Sequence, residues 1–184
     1  MLPALLLLPF AAARAEMSRD DLWEELRAGR AVAMIRHALA PGTGDPPALR
    51  IGDCASQRNL SDRGRADAGR LGDLFRANGI ASAEVLSSRW CRSAETARLL
   101  GLGPVRETEM LDSLFGRSAE APARNAALLA HLERTLPGAV QVLVTHQANI
   151  NAFVDGPFAR EGEIFVVRPA ARASERLLGR IPPP

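Results

Sequence analysis

The chain has 184 residues, 47% of them hydrophobic, which is one domain's length with enough apolar surface for a core. A formal net charge of +2 and the absence of any run of like charge argue against a nucleic-acid-binding protein. Aromatic residues make up only 4%, so the core must be mainly Leu, Val, Ile and Ala, and all 23 basic residues are arginine, so any fixed cation in a site is a guanidinium.

In chain order, residues 1–15 come first, with the apolar run LPALLLLPF and the small-x-small pattern Ala13-Arg14-Ala15. They read as a secretory signal cleaved before Glu16, leaving 16–184 as a single domain. The alternative is an apolar helix packed on the domain. The run is shorter than the ~20 residues that span a bilayer, so no stable membrane anchor is expected. The predicted location is periplasmic or secreted.

SRDDLWEELRAGR has Ser18 as N-cap, acids in its first turn and Gly29 at its end, which predicts a short helix. AVAMI is a continuous apolar run, as in a central parallel strand. Residues 38–60 hold Pro41, Gly42, Gly44, Pro46, Pro47 and Gly52 and read as a long loop of the functional kind. A helix follows from Ser61 to Gly79, with Ala66, Leu71, Leu74 and Phe75 expected on its buried face. AEVLSS is a strand, and RSAETARLLG is a helix closed by Gly101. Residues 103–120 show no periodicity. APARNAALLAHLERTLPG is a helix, AVQVLVT the most strand-like run, and QANINAFVD a short helix. GEIFVVRP and ASERLLGRI look like closing strands of a hairpin. Alternating strands and helices predict an α/β, three-layer domain, with a mostly parallel central sheet flanked by helices.

Three apolar strands end in the same kind of chemistry. AVAMI runs into Arg36-His37, VLSS into Arg89, and VQVLVT into His146. Parallel strands put these tips on one sheet edge, where open α/β sheets bind ligands. Two arginines and two histidines converging there call for a dianion such as phosphate. No His/Cys/Asp cluster has metal-ligand spacing, and no cofactor is expected.

RH after a strand, SSRWCRSAETA in the middle and a late VTHQ, with LSDRGRADA as the helix after the first loop, resemble the histidine phosphatase superfamily, the phosphoglycerate-mutase-like fold, and most closely its small exported bacterial members. The resemblance spans roughly residues 31 to 155. It implies a metal-independent phosphohydrolase acting on phosphate monoesters of small substrates through a phosphohistidine intermediate. His37 would be the nucleophile, Arg36 and Arg89 would hold the phosphoryl oxygens, and His146 would complete the phosphate pocket and stabilise the transition state. Phosphoryl transfer asks mainly for positioning and charge neutralisation, which these groups supply. Neighbouring guanidinium groups would keep His37 neutral and nucleophilic.

Two departures from the family pattern stand out. Ala38 replaces the glycine of RHG. The family's proton donor is absent from one of its two usual places, since Gln147 rather than Asp follows His146; for the other, a carboxylate some two dozen residues past the central Arg, Asp112 in EMLDSLFG is the candidate, with Glu109 nearby. Without a donor, the chain would be a phosphate- or sugar-phosphate-binding protein of the same fold; a phosphomutase is disfavoured by export and short length. Arg92 either adds to the anion pocket or turns out to solvent. Ser88 and Gln147 are candidates for the pocket lining, as is Asn149, while Trp90 reads as packing and His131 as a surface or half-buried helix residue. In an oxidising compartment Cys54 and Cys91 either pair, pinning the long loop to the sheet edge, or remain buried free thiols.

Overall fold

The computed structural model describes residues 17–184. The signal segment expected over 1–15 lies outside the described residues. Six strands form one sheet: β1 (Val32–Arg36), β2 (Glu84–Ser87), β3 (Val105–Glu107), β4 (Gln141–Thr145), β5 (Ile164–Val167) and β6 (Leu177–Ile181). Their spatial order is β3-β2-β4-β1-β5-β6. β3, β2, β4 and β1 run parallel, while β5 lies antiparallel to both β1 and β6. The sheet is therefore mixed but mostly parallel, as expected.

Strand alternation builds two cores. In β1, Ala33 and Ile35 face one side, with Val142, Val144 and Val166 from neighbouring strands. Against them pack α1 (Arg19–Arg27), α2 (Asp62–Ala77) and α3 (Cys91–Leu99), through residues including Leu22, Trp23, Leu71, Phe75 and Ala97. Val32 and Met34 face the other side with Leu143 and Phe165, covered by α4 (Ala121–Thr135) and α5 (Gln147–Val154) through Leu128, Leu132, Ile150 and Phe153. Each fully buried Leu, Val, Ile or Phe contributes ~1.5–3 kcal/mol of transfer free energy, so the two layers supply the main drive to fold. Scarce aromatics are used at joints: Trp23 of α1 meets Phe75 of α2 edge-on, ring centroids 5.2 Å apart.

Local signals set the helix ends. Ser18 and Asp21 form a reciprocal capping box on α1, and Ser61 accepts from Gly64 N on α2. The buried face of α2 is Gly64, Ala68, Leu71, Gly72 and Phe75; Ala66, expected there, is exposed. Leu71 and Phe75 face the core as expected, with Leu74 partly buried against it, while the N-terminal half of the face is made of Gly64 and Ala68, whose small side chains carry little hydrophobic signal. An added Cβ at Gly64 would sit 2.1 Å from Leu39 O, so glycine lets α2 press on the chain just past His37. The aperiodic stretch from 103 contains the edge strand β3, which is too short to show alternation. Among the described residues, no helix is long and apolar enough to cross a membrane.

Candidate active site

Strand register brings the site together. β1 pairs with β4 so that Arg36 lies opposite Thr145, and β2 pairs with β4 so that Ser87 lies opposite Val144. His37 and His146 each follow directly. His37 N donates to Thr145 O at 2.9 Å, and Ser88 N to Val144 O at 3.0 Å. The two imidazoles meet edge-on with centroids 5.3 Å apart. They lie on the floor of a cavity of about 560 Å³, within the size range of small-molecule sites.

Three guanidinium groups ring the imidazoles in this cavity: Arg36, Arg58 and Arg92. Arg92 sits in the first turn of α3, where the Cα–Cβ bond tilts back toward the helix N-terminus and so toward the sheet edge. It is 2% exposed. Its Nε donates to His37 Nε2 at 3.2 Å and its Nη2 to His146 Nδ1 at 3.4 Å. Because guanidinium can only donate, both ring nitrogens must be acceptors. His37 then carries its proton on Nδ1, which donates to Ala38 O at 2.8 Å, and its Nε2 is the acceptor held by Arg92. His146 carries its proton on Nε2, which donates to Ser88 Oγ at 2.9 Å.

The surroundings keep both rings neutral. Burial, then Arg92, Arg36 and Arg58, push the His37 pKa down to about 3 against a backbone bond that raises it. Burial, followed by His37 and Arg92, holds His146 well below its ordinary value. Burial also lowers Arg36 and Arg58, yet guanidinium stays charged. Two carboxylates partly balance the cations. Asp45 accepts from Arg92 Nη1 at 2.5 Å, and Glu161 from Arg36 Nη2 at 2.6 Å. Arg36 Nε is buried without a partner among the described residues. Gln147 and Ala148, the first residues of α5, also line the cavity, and a helix N-terminus favours an anion.

The structure corrects two assignments. Arg89 does not line the cavity. It precedes the N-cap of α3 and turns to Asp112, donating through Nε at 2.7 Å and also through Nη2. Arg92 takes the place expected of Arg89. Asp112 likewise does not face the cavity: it is 1% exposed and accepts from Arg89 N at 2.9 Å. Turned to Arg89 and away from the cavity, its carboxylate is not placed to reach a leaving group there. It acts instead behind His146, accepting from Ser88 Oγ at 3.4 Å. Ser88 and Asn149 are scaffold rather than lining: Asn149 bridges Leu114 N and Asp112 O. Trp90 packs edge-on to His146 and donates to Asp45 at 3.0 Å. His131 is buried rather than at the surface, next to Gln141 Oε1, remote from the cavity.

Cys54 and Cys91 are bonded to each other, with Cα atoms 5.6 Å apart. The long loop is thereby tied to the start of α3, next to Arg92. Gln57 Oε1 adds a second tie, accepting from Cys91 N at 3.0 Å. Arg58, just beyond, donates through Nε to Gly44 O at 2.9 Å and through Nη1 to Ala40 O. Ala38 fits without strain; it is buried, and its N–H donates to Thr96 Oγ1 at 3.1 Å. Among the described residues no group of His, Cys, Asp and Glu could hold a metal ion. Arg58, Asp45 and Glu161 were not found by sequence reasoning, because aperiodic loops carry no signal of which way a side chain points.

No protein-family model and no curated protein matches this chain. Solved structures do. A structure assigned as the phosphohistidine phosphatase SixA from Agrobacterium tumefaciens aligns with TM-score 0.56 at 20% identity, covering 85% of this chain and 99% of that one. The protein histidine phosphatase SixA complexed with tungstate aligns with TM-score 0.57 at 14% identity, covering 82% and 96%. The phosphoserine phosphatase from Entamoeba histolytica, in complex with 3-phosphoglyceric acid, aligns with TM-score 0.58 at 13% identity, covering 74% and 89%. The chain has the phosphoglycerate-mutase-like α/β fold of the histidine phosphatases.

Proposed function

We propose that the protein is a histidine phosphatase, a hydrolase of phosphate monoesters that works through a phosphohistidine. The observation that carries this reading is His37 in a cavity lined by Arg36, Arg58 and Arg92, its Nε2 an acceptor held by Arg92 Nε and its pKa pushed low by burial. His37 Nε2 attacks phosphorus, forming an N–P bond as the ester P–O bond breaks. The guanidinium groups take up charge on the equatorial oxygens, which is most of what this chemistry demands. Arg92 also bridges the two imidazoles, so a phosphoryl group drawing it away leaves both rings facing the substrate. Glu161 is the carboxylate that lines the cavity among the described residues, and it takes the role of proton donor to the leaving oxygen. Water then cleaves the N–P bond, releasing phosphate and restoring His37.

The relatives named above act on phosphohistidine or phosphoserine, which supports a phosphorylated substrate for this chain. A location in an oxidising compartment is part of the same proposal, supported by the Cys54–Cys91 bond. The test is to incubate protein with substrate, quench in alkali and look for an acid-labile phosphoryl group on His37. Phosphate found on serine, or full turnover by His37→Ala, would overturn the mechanism.

A further inference from the structure

The floor of the cavity is polar, but two apolar rings stand exposed on its lining. Phe115 and Phe158 both line it, and they are 57% and 59% exposed. The other phenylalanines among the described residues, Phe75, Phe153 and Phe165, are fully buried. A chain this poor in aromatics thus leaves two in water, both on one cavity's lining. Neither ring is there to complete the core.

Both rings are held. Leu114 N donates to Asn149 Oδ1 at 3.1 Å and Phe115 N to Ser113 Oγ at 3.3 Å, which sets the turn that presents Phe115. Its ring lies over Gly44, where an added Cβ would come within 3.2 Å of it. Phe158 lies with its ring 5.4 Å from the Arg36 guanidinium carbon. Arg36 donates to the next residue, Ala159 O, at 2.8 Å. One ring is therefore tied to a group assigned to phosphate, and the other sits across the loop that carries Gly44.

From this we infer that the leaving group of the preferred substrate carries a flat apolar ring, received between Phe115 and Phe158 while the phosphoryl group lies on the arginines. The inference rests on the phosphatase reading of the same cavity and names its substrate class: monoesters of ring-bearing alcohols, in preference to small polar phosphates. Rings stack or meet edge-on with aromatic side chains at a gain beyond simple area burial. A cavity with a cationic floor and exposed aromatic rings on its lining matches an ester that is anionic at one end and apolar at the other.

The test compares benzyl phosphate with ethyl phosphate, whose alcohols are similarly poor leaving groups, so that the ratio of kcat/KM reads the ring. The wild type should favour the benzyl ester by about ten-fold or more, and the Phe115→Ala/Phe158→Ala protein should bring the ratio near one. A second measurement needs no turnover: calorimetric binding of benzylphosphonate against methylphosphonate should show the same preference and the same loss. Ring-selective phosphonate binding without hydrolysis of either ester would uphold the subsite and overturn the phosphatase reading. Hydrolysis of both esters at equal efficiency, or a ring preference that survives the double substitution, would overturn the subsite alone.

Discussion

Protonating His37 should cost the fold a measurable share of its stability. The ring is buried among three guanidinium groups, and its pKa is pushed down to about 3 from an ordinary 6.5. The unfolded chain therefore binds a proton that the folded chain refuses between those values. The stability His37 confers as a neutral ring is complete above the unfolded pKa, falls as pH drops toward the folded one, and levels off below it. At 1.36 kcal/mol per pKa unit, the loss from about pH 7 to about pH 4 is roughly 3 kcal/mol. His146, also held low by burial, adds to the loss in the same direction. The perturbation is His37→Gln, which removes the titrating group. Denaturant unfolding with the disulfide intact, at each pH, gives the comparison. All carboxylates are common to both proteins, so the difference isolates the ring, and the variant should lose roughly 3 kcal/mol less than wild type over that range. The chain has 3 histidines, so a proton NMR titration can follow each one directly. Parallel stability curves for the two proteins, or a His37 midpoint near its ordinary value, would refute a neutral ring forced by burial and the arginines.

Further outcomes follow from the corrected site. Arg92→Met should lower kcat/KM by roughly 10³-fold, as for loss of a charge-stabilising donor, while Arg89→Met should mainly lower the unfolding midpoint; the reverse pattern in kinetics and denaturation would restore Arg89 to the phosphate site. Glu161→Gln should slow ethyl phosphate by ~10²-fold or more and spare p-nitrophenyl phosphate, whose leaving group needs no proton; Asp112→Asn, by contrast, should affect both substrates alike. Replacing Cys54 and Cys91 by serine removes a crosslink spanning 37 residues, a loss of roughly 3–4 kcal/mol in the chain-entropy view, readable by denaturant unfolding.

Much of the architecture is written locally. Apolar runs such as AVAMI and VQVLVT mark buried parallel strands because both of their faces meet helices, and Ser18 and Ser61 mark helix starts because their side chains cap free N–H groups. The convergence of His37 and His146 follows as soon as those strands run parallel, since each histidine is the first residue past its strand. The choice between Arg89 and Arg92 lay beyond that reach. Three positions separate them, and only the start of α3 at Cys91 decides that Arg92 points to the sheet edge while Arg89 turns to Asp112. Asp112 had suitable spacing for an acid, but whether a carboxylate donates a proton depends on what it faces, and here it faces a guanidinium and a backbone N–H. Arg58, Asp45, Glu161 and the two exposed phenylalanines come from aperiodic segments. Their directions are set by long-range ties, such as the Cys54–Cys91 bond and Asn149 on Leu114, and no periodicity in the chain encodes a tie between residues that far apart.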